Sequence, residues 1–146
     1  MQEGNIYAIA RTTAGMTRAR WAEMLGVSED SVRQYEAGRI RPADDIVLSM
    51  ADLSGMQILG TWHLRRKSAV AAELLPPVER LPLAQAVLQL LDELKRFDEK
   101  HHADALIRIA ADGRVVPEEE ARFKEIVRDL QPLIRAAMQI DFAEKG

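Results

Sequence analysis

The sequence predicts an all-α fold, a five-helix bundle followed by a C-terminal helical hairpin. Three observations predict it. Ala, Leu, Glu and Arg, all strong helix formers, dominate the 146 residues. Val, Ile and Thr rarely alternate with polar residues, so the period-2 pattern of a half-buried strand is missing. Glycines recur just beyond apolar stretches of helical period, at Gly15, Gly26, Gly38, Gly55 and Gly113, where a helix commonly stops.

The first helix is expected from Asn5 to Ala14, ending at Gly15. Thr17 is placed to cap the second, which carries Ala19, Ala22 and Leu25 on one face and stops at Gly26. Ser28 caps the third, Glu29 to Ala37, stopped by Gly38. Pro42 or Asp44 opens the fourth, which ends near Ser54-Gly55, and the fifth runs from Gln57 to Arg66 with Trp62 in the core and His63 at its rim. Pro76-Pro77 and Pro82 break helices, so residues 68–82 read as a linker between domains at 1–67 and 83–146.

From Leu83 apolar positions recur at three-to-four spacing: Val87, Leu90, Leu91, Leu94, Phe97, His101, Ala105, Leu106 and Ile109. They predict one helix running to Ala111, stopped by Asp112-Gly113. Pro117 with Glu118-Glu119-Glu120 is a helix start, carboxylates at the positive end of the dipole. The last helix has Phe123, Ile126, Val127, Leu130, Ile134, Ala137 and Met138 on its inner stripe. Two helices alone cannot cover both stripes, so this second domain is expected to dimerise, with packing on the first domain, and then a heterologous partner or effector site, as the alternatives.

The formal charge is −3. Residues 1–70 hold nine Lys/Arg and eight Asp/Glu, for +1, whereas residues 71–146 hold eleven and fifteen, for −4. Binding of nucleic acid therefore requires a localised basic face in the first half. There is no cysteine, which excludes disulfides and thiolate metal sites. No signal peptide or membrane span is read, so the expected setting is the cytoplasm, with no membrane partner.

The stretch Met16 to Pro42, MTRARWAEMLGVSEDSVRQYEAGRIRP, carries the function. Two short helices meet at a steep angle across Leu25-Gly26-Val27-Ser28. Ala22 is small where they cross, while Val27, Val32 and Tyr35 face inward and Ser31, Arg33 and Gln34 outward. Thr17, Ala22, Leu25-Gly26-Val27-Ser28, Ser31-Val32, Tyr35-Glu36, Gly38 and Pro42 together resemble the Cro/cI-type (Xre family) helix-turn-helix transcriptional regulators. That resemblance covers residues 5–66 and implies a lambda-repressor-like DNA-binding domain whose second motif helix enters the major groove.

By the same resemblance, Arg11 pairs with Glu36 as a structural brace, and Thr17 and Arg18 lie at the start of the second helix, where the arginine reaches phosphate or a flanking base. Ser28 caps near a phosphate, and Glu29, Asp30, Ser31, Arg33 and Gln34 occupy the base-reading side. Arg39 and Arg41 suit phosphates from the following loop. Glu29 and Asp30 either complement the helix dipole or accept hydrogen bonds from cytosine N4.

The remaining signals are weak. Arg114, Val115 and Val116 supply no alternate oxygen ligands, so Asp112 to Glu120 is not a calcium loop. Adjacent His101 and His102 point about 100 degrees apart on a helix, so one surface and one half-buried histidine are expected and no metal. No hydrolase or phosphate-loop motif is present, so neither enzymatic activity nor a cofactor is expected, and no small-molecule effector is specified. The expected function is that of a sequence-specific regulator, a repressor, acting as a homodimer on a palindromic operator. The alternative is a protein-interaction module that retains the fold without binding DNA.

Overall fold

The structure, a computed structural model, describes residues 4–146. Within them the fold is all-α: nine helices, no strand, and one isolated β-bridge between Pro82 and Glu144. The chain divides into two compact units, up to Glu79 and from Arg80 onward. None of the nine helices is long and apolar enough to cross a membrane.

The first unit holds α1 (Ile6–Thr13), α2 (Arg18–Leu25), α3 (Glu29–Glu36), α4 (Asp44–Ser54), α5 (Ile58–Lys67) and α6 (Ala69–Leu74). The Asn5 side chain caps α1 by accepting from the Tyr7 and Ala8 amides. Its amide nitrogen also donates to the Tyr35 carbonyl, tying α1 to the end of α3. Ile6, Ala10, Trp21, Val32, Val47, Met50, Ile58, Leu59 and Trp62 form the interior.

Two expectations are corrected here. The 68–82 segment is not a bare linker, because α6 lies within it and packs on α5. Ser68 caps α6, and Arg65 donates to the Ala72 and Leu75 carbonyls at its far end. The buried Trp62 indole donates to the Val78 carbonyl at 2.9 Å, extending the unit past the prolines. His63 does not sit at the rim. It is buried, with ring nitrogens on the Tyr7 hydroxyl (2.8 Å) and the Asp44 carboxylate (2.9 Å). The carboxylate can only accept, so in a neutral ring Nδ1 accepts from the tyrosine.

The second unit holds α7 (Leu83–Glu99), α8 (His102–Ala110) and α9 (Glu120–Phe142). α7 and α9 run antiparallel: Leu81 and Ala86 meet Ala143 and Ile140 at one end, and Phe97 packs on the cluster that holds Ile126 near the other. Ala105 and Ile109 of α8 close over that second end. The expected continuous helix to Ala111 is broken at His101, whose φ is 55°. This left-handed residue reverses the pattern read from spacing: His101 is exposed, and His102 is fully buried rather than half-buried. The hairpin is thus three helices, with the α8 segment folded back as the third.

That break changes which apolar positions are covered. Ala86 is buried and Leu90 and Phe97 half-buried, but Leu83, Val87, Leu91 and Leu94 remain exposed. At four-, four- and three-residue spacing, those four form one stripe beside the packed face of α7. Val127 and Ile134 of α9, seven residues apart, are likewise exposed.

Candidate nucleic-acid interface

The motif is built from two capped eight-residue helices and a three-residue turn. Thr17 Oγ1 accepts from the Arg20 amide at 3.2 Å, and Ser28 Oγ accepts from the Ser31 amide at 3.0 Å. Between them Gly26 adopts φ 68°, a left-handed conformation that side chains with a Cβ disfavour. The turn lets the Val27 amide donate to the Ala22 carbonyl, ending α2 and redirecting the chain into α3. Gly38, at φ 72°, ends α3 in the same manner.

Burial of Ala22, Leu25, Val32 and Tyr35 fixes the rotation of α3 against α2, while Val27 is only half-buried. The opposite side of α3 consequently faces solvent. Glu29, Asp30 and Arg33 are exposed there, with Ser31 and Gln34 half-exposed. Thr17, Arg18 and Ser28 are exposed at the helix starts, and Arg39 and Arg41 in the loop that follows.

The charges are arranged unevenly. The Glu36 carboxylate, 4% exposed, accepts from two arginines: Arg11 through Nε and Nη2, and Arg18 through Nε at 2.7 Å. Arg11 also donates to the Met16 carbonyl at 2.8 Å, so the brace fastens α1, the α2 entry and α3 together. Burial pushes the Glu36 carboxyl up, but the hydrogen bonds and charges of Arg11 and Arg18 outweigh it and hold the group below the usual carboxylate range. Arg18, half exposed, therefore spends part of its fork on Glu36. Arg33 lies 3.6 Å from Glu29, one turn earlier on α3.

Beyond the motif, the α3–α4 loop and the last turn of α5 bring together Arg39, Arg41 and Arg66. They line a cleft of about 480 Å³ with Asn5, Tyr7 and Gly38. Burial raises the Tyr7 phenol, and the positive charges of Arg41 and Arg66 oppose that rise. Arg66 was not among the expected contacts. Its signal was the Arg65-Arg66-Lys67 run, which lacks an apolar partner pattern and reads equally well as a solvated helix end.

In the second unit, donor atoms of His102, Glu125 and Asp129 lie within 4.8 Å of one another, the set among the described residues able to hold a cation. Each carboxylate already has a positive partner. Lys100 Nζ and His102 Nε2 both reach Asp129 Oδ2, at 2.7 and 2.8 Å, and Arg122 reaches Glu125 at 3.1 Å. The Lys100 hydrogen bond comes first among the causes that lower Asp129 to about 2, with His102 next. An ion would have to displace those partners, so the cluster is a bracing network between the α7–α8 break and α9.

Among protein families, the model for a helix-turn-helix domain matches residues 8–58, just over a third of the chain. Neither the curated proteins nor the solved structures contain a match. The matched segment spans α2, the Gly26 turn, α3 and α4, so the similarity falls on the elements that carry the solvent-facing side of α3. A helix-turn-helix domain with an exposed second helix is what a DNA-binding regulator presents to its target.

Proposed function

We propose that the chain is a sequence-specific transcriptional repressor of the Cro/cI type, acting in the cytoplasm as a homodimer on a palindromic operator. One observation carries the reading. A helix-turn-helix whose buried face is fully satisfied leaves Ser31, Arg33 and Gln34 together on the open side of α3. In this role Arg33 and Gln34 read base edges, Glu29 and Asp30 accept from cytosine N4, and Arg39 and Arg41 hold phosphates. The Arg11–Glu36 brace sets the angle of α3 and touches no base. The exposed stripe of Leu83, Val87, Leu91 and Leu94 supports self-association through the second unit.

Selection of bound sequences from a random DNA pool tests this directly. The expected result is an inverted repeat with half-sites one helical turn, about 10 bp, apart or a multiple of that. In the full chain, replacing Leu91 and Leu94 by Glu changes exposed positions only. Sedimentation should show a dimer for the native chain and a monomer for the double variant. Affinity for the two-half-site operator should fall by roughly 10²–10⁴ once the second half-site is no longer tethered. A native chain that is monomeric at micromolar concentration, or selected sites without a repeat, would overturn the homodimer.

A second reading, a protein-interaction module that does not bind DNA, is favoured by one feature: Arg18 and Arg33 both have carboxylate neighbours. Gel shift at low salt separates the two, since the module would retard no DNA of any sequence.

A further inference from the structure

Among the described residues, the basic side chains of the first unit that lack a carboxylate partner come together at one place, two from the matched helix-turn-helix segment and one from beyond it. Nine positive side chains lie between residues 4 and 79. Arg11 and Arg18 are held by Glu36, Arg20 by Glu23, Arg33 by Glu29 and Lys67 by Asp44. Arg65 is committed to the two carbonyls that end α6. Three remain without a carboxylate partner among the described residues: Arg39, Arg41 and Arg66. All three line the same cleft.

Three guanidinium groups around one cleft repel one another, and an anion of matching geometry relieves that repulsion. Arg41 donates to the Arg66 carbonyl at 3.2 Å, which fixes the loop against the last turn of α5. Arg66 donates only to a carbonyl one turn back in its own helix, Trp62, at 3.3 Å, and is otherwise free to turn outward. Among the described residues, none that lines the cleft is acidic. A planar fork of donors suits a phosphate oxygen pair better than a point charge does. The cleft opens beside the end of α3, where Gly38 and Arg39 leave the helix.

We infer that Arg39, Arg41 and Arg66 form a phosphate-binding cleft, occupied by the DNA backbone next to the base-reading helix, and that Arg66 of α5 is a DNA contact. This rests on the DNA-binding reading above. The phosphate chemistry could equally come from free phosphate, and the experiment has an arm for each source.

Arg66→Gln and Arg66→Lys are made in the full chain, and thermal melting verifies that both are folded, since Arg66 holds no other element in place. Binding to a selected site and to random duplex is then measured against salt. For one lost phosphate contact the slope of log affinity on log salt should fall by about 0.9. That corresponds to a loss of about fivefold at 0.15 M salt and about fifteenfold at 0.05 M, equal for both DNAs. Arg66→Lys should recover most of the slope. A full slope and affinity in Arg66→Gln, with native DNA binding intact, overturns the inference while leaving the DNA reading standing. If the native chain binds no DNA, that reading fails instead, and inorganic phosphate is titrated with amide shifts at Gly38 to Arg41 as the readout. Saturable shifts that vanish in the Arg39, Arg41 and Arg66 triple glutamine variant keep the phosphate site but overturn DNA as its source. No shifts overturn the site itself.

Discussion

Replacing Arg11 and Arg18 by alanine, singly and together, measures how the Glu36 brace holds α3 in place. Glu36 is 4% exposed, Arg11 15% and Arg18 48%. Loss of Arg11 removes charge-assisted hydrogen bonds to a buried carboxylate, each class worth about 1.5–3 kcal/mol, but Arg18 stays as a second partner. Loss of Arg18 alone removes a half-exposed contact worth at most about 1 kcal/mol. Losing both strands a buried carboxylate, at about 3–5 kcal/mol. From the middle of these ranges, the double variant should exceed the sum of the singles by about 1 kcal/mol. The two tryptophans, Trp21 and Trp62, are both buried in the first unit, so fluorescence during urea unfolding reports that unit alone. Acid gives a second handle. A carboxyl whose folded value lies below its unfolded one, about 4.3, stabilises above that value and loses the contribution as pH falls through the folded one. In the double variant only burial acts on Glu36 and raises it, so the gap between native and double variant should narrow below about pH 4. Strict additivity of the two singles, or a gap that widens in acid, would refute the shared-carboxylate account.

Three further outcomes are expected. Arg33→Ala and Gln34→Ala should weaken selected sites by about 1–3 kcal/mol more than random duplex in gel shift, and equal losses would remove them from base reading. His101→Gly should be neutral or stabilising by up to about 1 kcal/mol in urea unfolding, because φ 55° favours glycine; a clear loss would mean that the His101 side chain holds a contact. Asp129→Asn should reduce the acid sensitivity of the chain. Because Asp129 is lowered to about 2, its contribution is complete above about pH 4 and disappears as pH falls toward 2, so the loss followed by circular dichroism over that range should be smaller in the variant than in the native chain.

The first five helices were legible because each begins or ends on a residue with a local physical reason. Thr17 and Ser28 bond the orphan amides of their own helices, and Gly26 and Gly38 take left-handed turns that few other residues accept. Such signals act within four residues and survive any tertiary context. His101 carried no comparable signal, since a non-glycine residue at positive φ is set by what lies around it. Apolar periodicity across 83–109 was real, but period alone cannot show that the helix folds back, which exchanges His101 for His102 on the inside. The same limit applied to His63. Its hydrogen bonds reach Asp44 and Tyr7, 19 and 56 positions away, and no local pattern encodes them. At the interface, the side of α3 was readable from helical spacing, whereas the pairing of Arg18 and Arg33 with carboxylates depends on side-chain directions.

Those pairings decide how the proposed DNA affinity must be assembled. If five of the nine cations in the first unit are already engaged by carboxylates and a sixth by carbonyls, only three remain to release counterions from a single half-site. A slope of about 0.9 per contact from three contacts gives weak binding with only a modest salt dependence. Two copies joined through the second unit double the contacts and bring the second set in at high effective concentration. The acidic balance of that second unit, eleven Lys/Arg against thirteen Asp/Glu for −2 over residues 80–146, keeps it from adding non-specific attraction of its own. Discrimination then rests on Arg33 and Gln34, because Glu29 and Asp30 oppose any approach to the backbone that does not also place a base donor against them. On this account the scarcity of free positive charge in the first unit, which argues against DNA binding when the chain is counted as one molecule, is what makes the two-fold assembly selective.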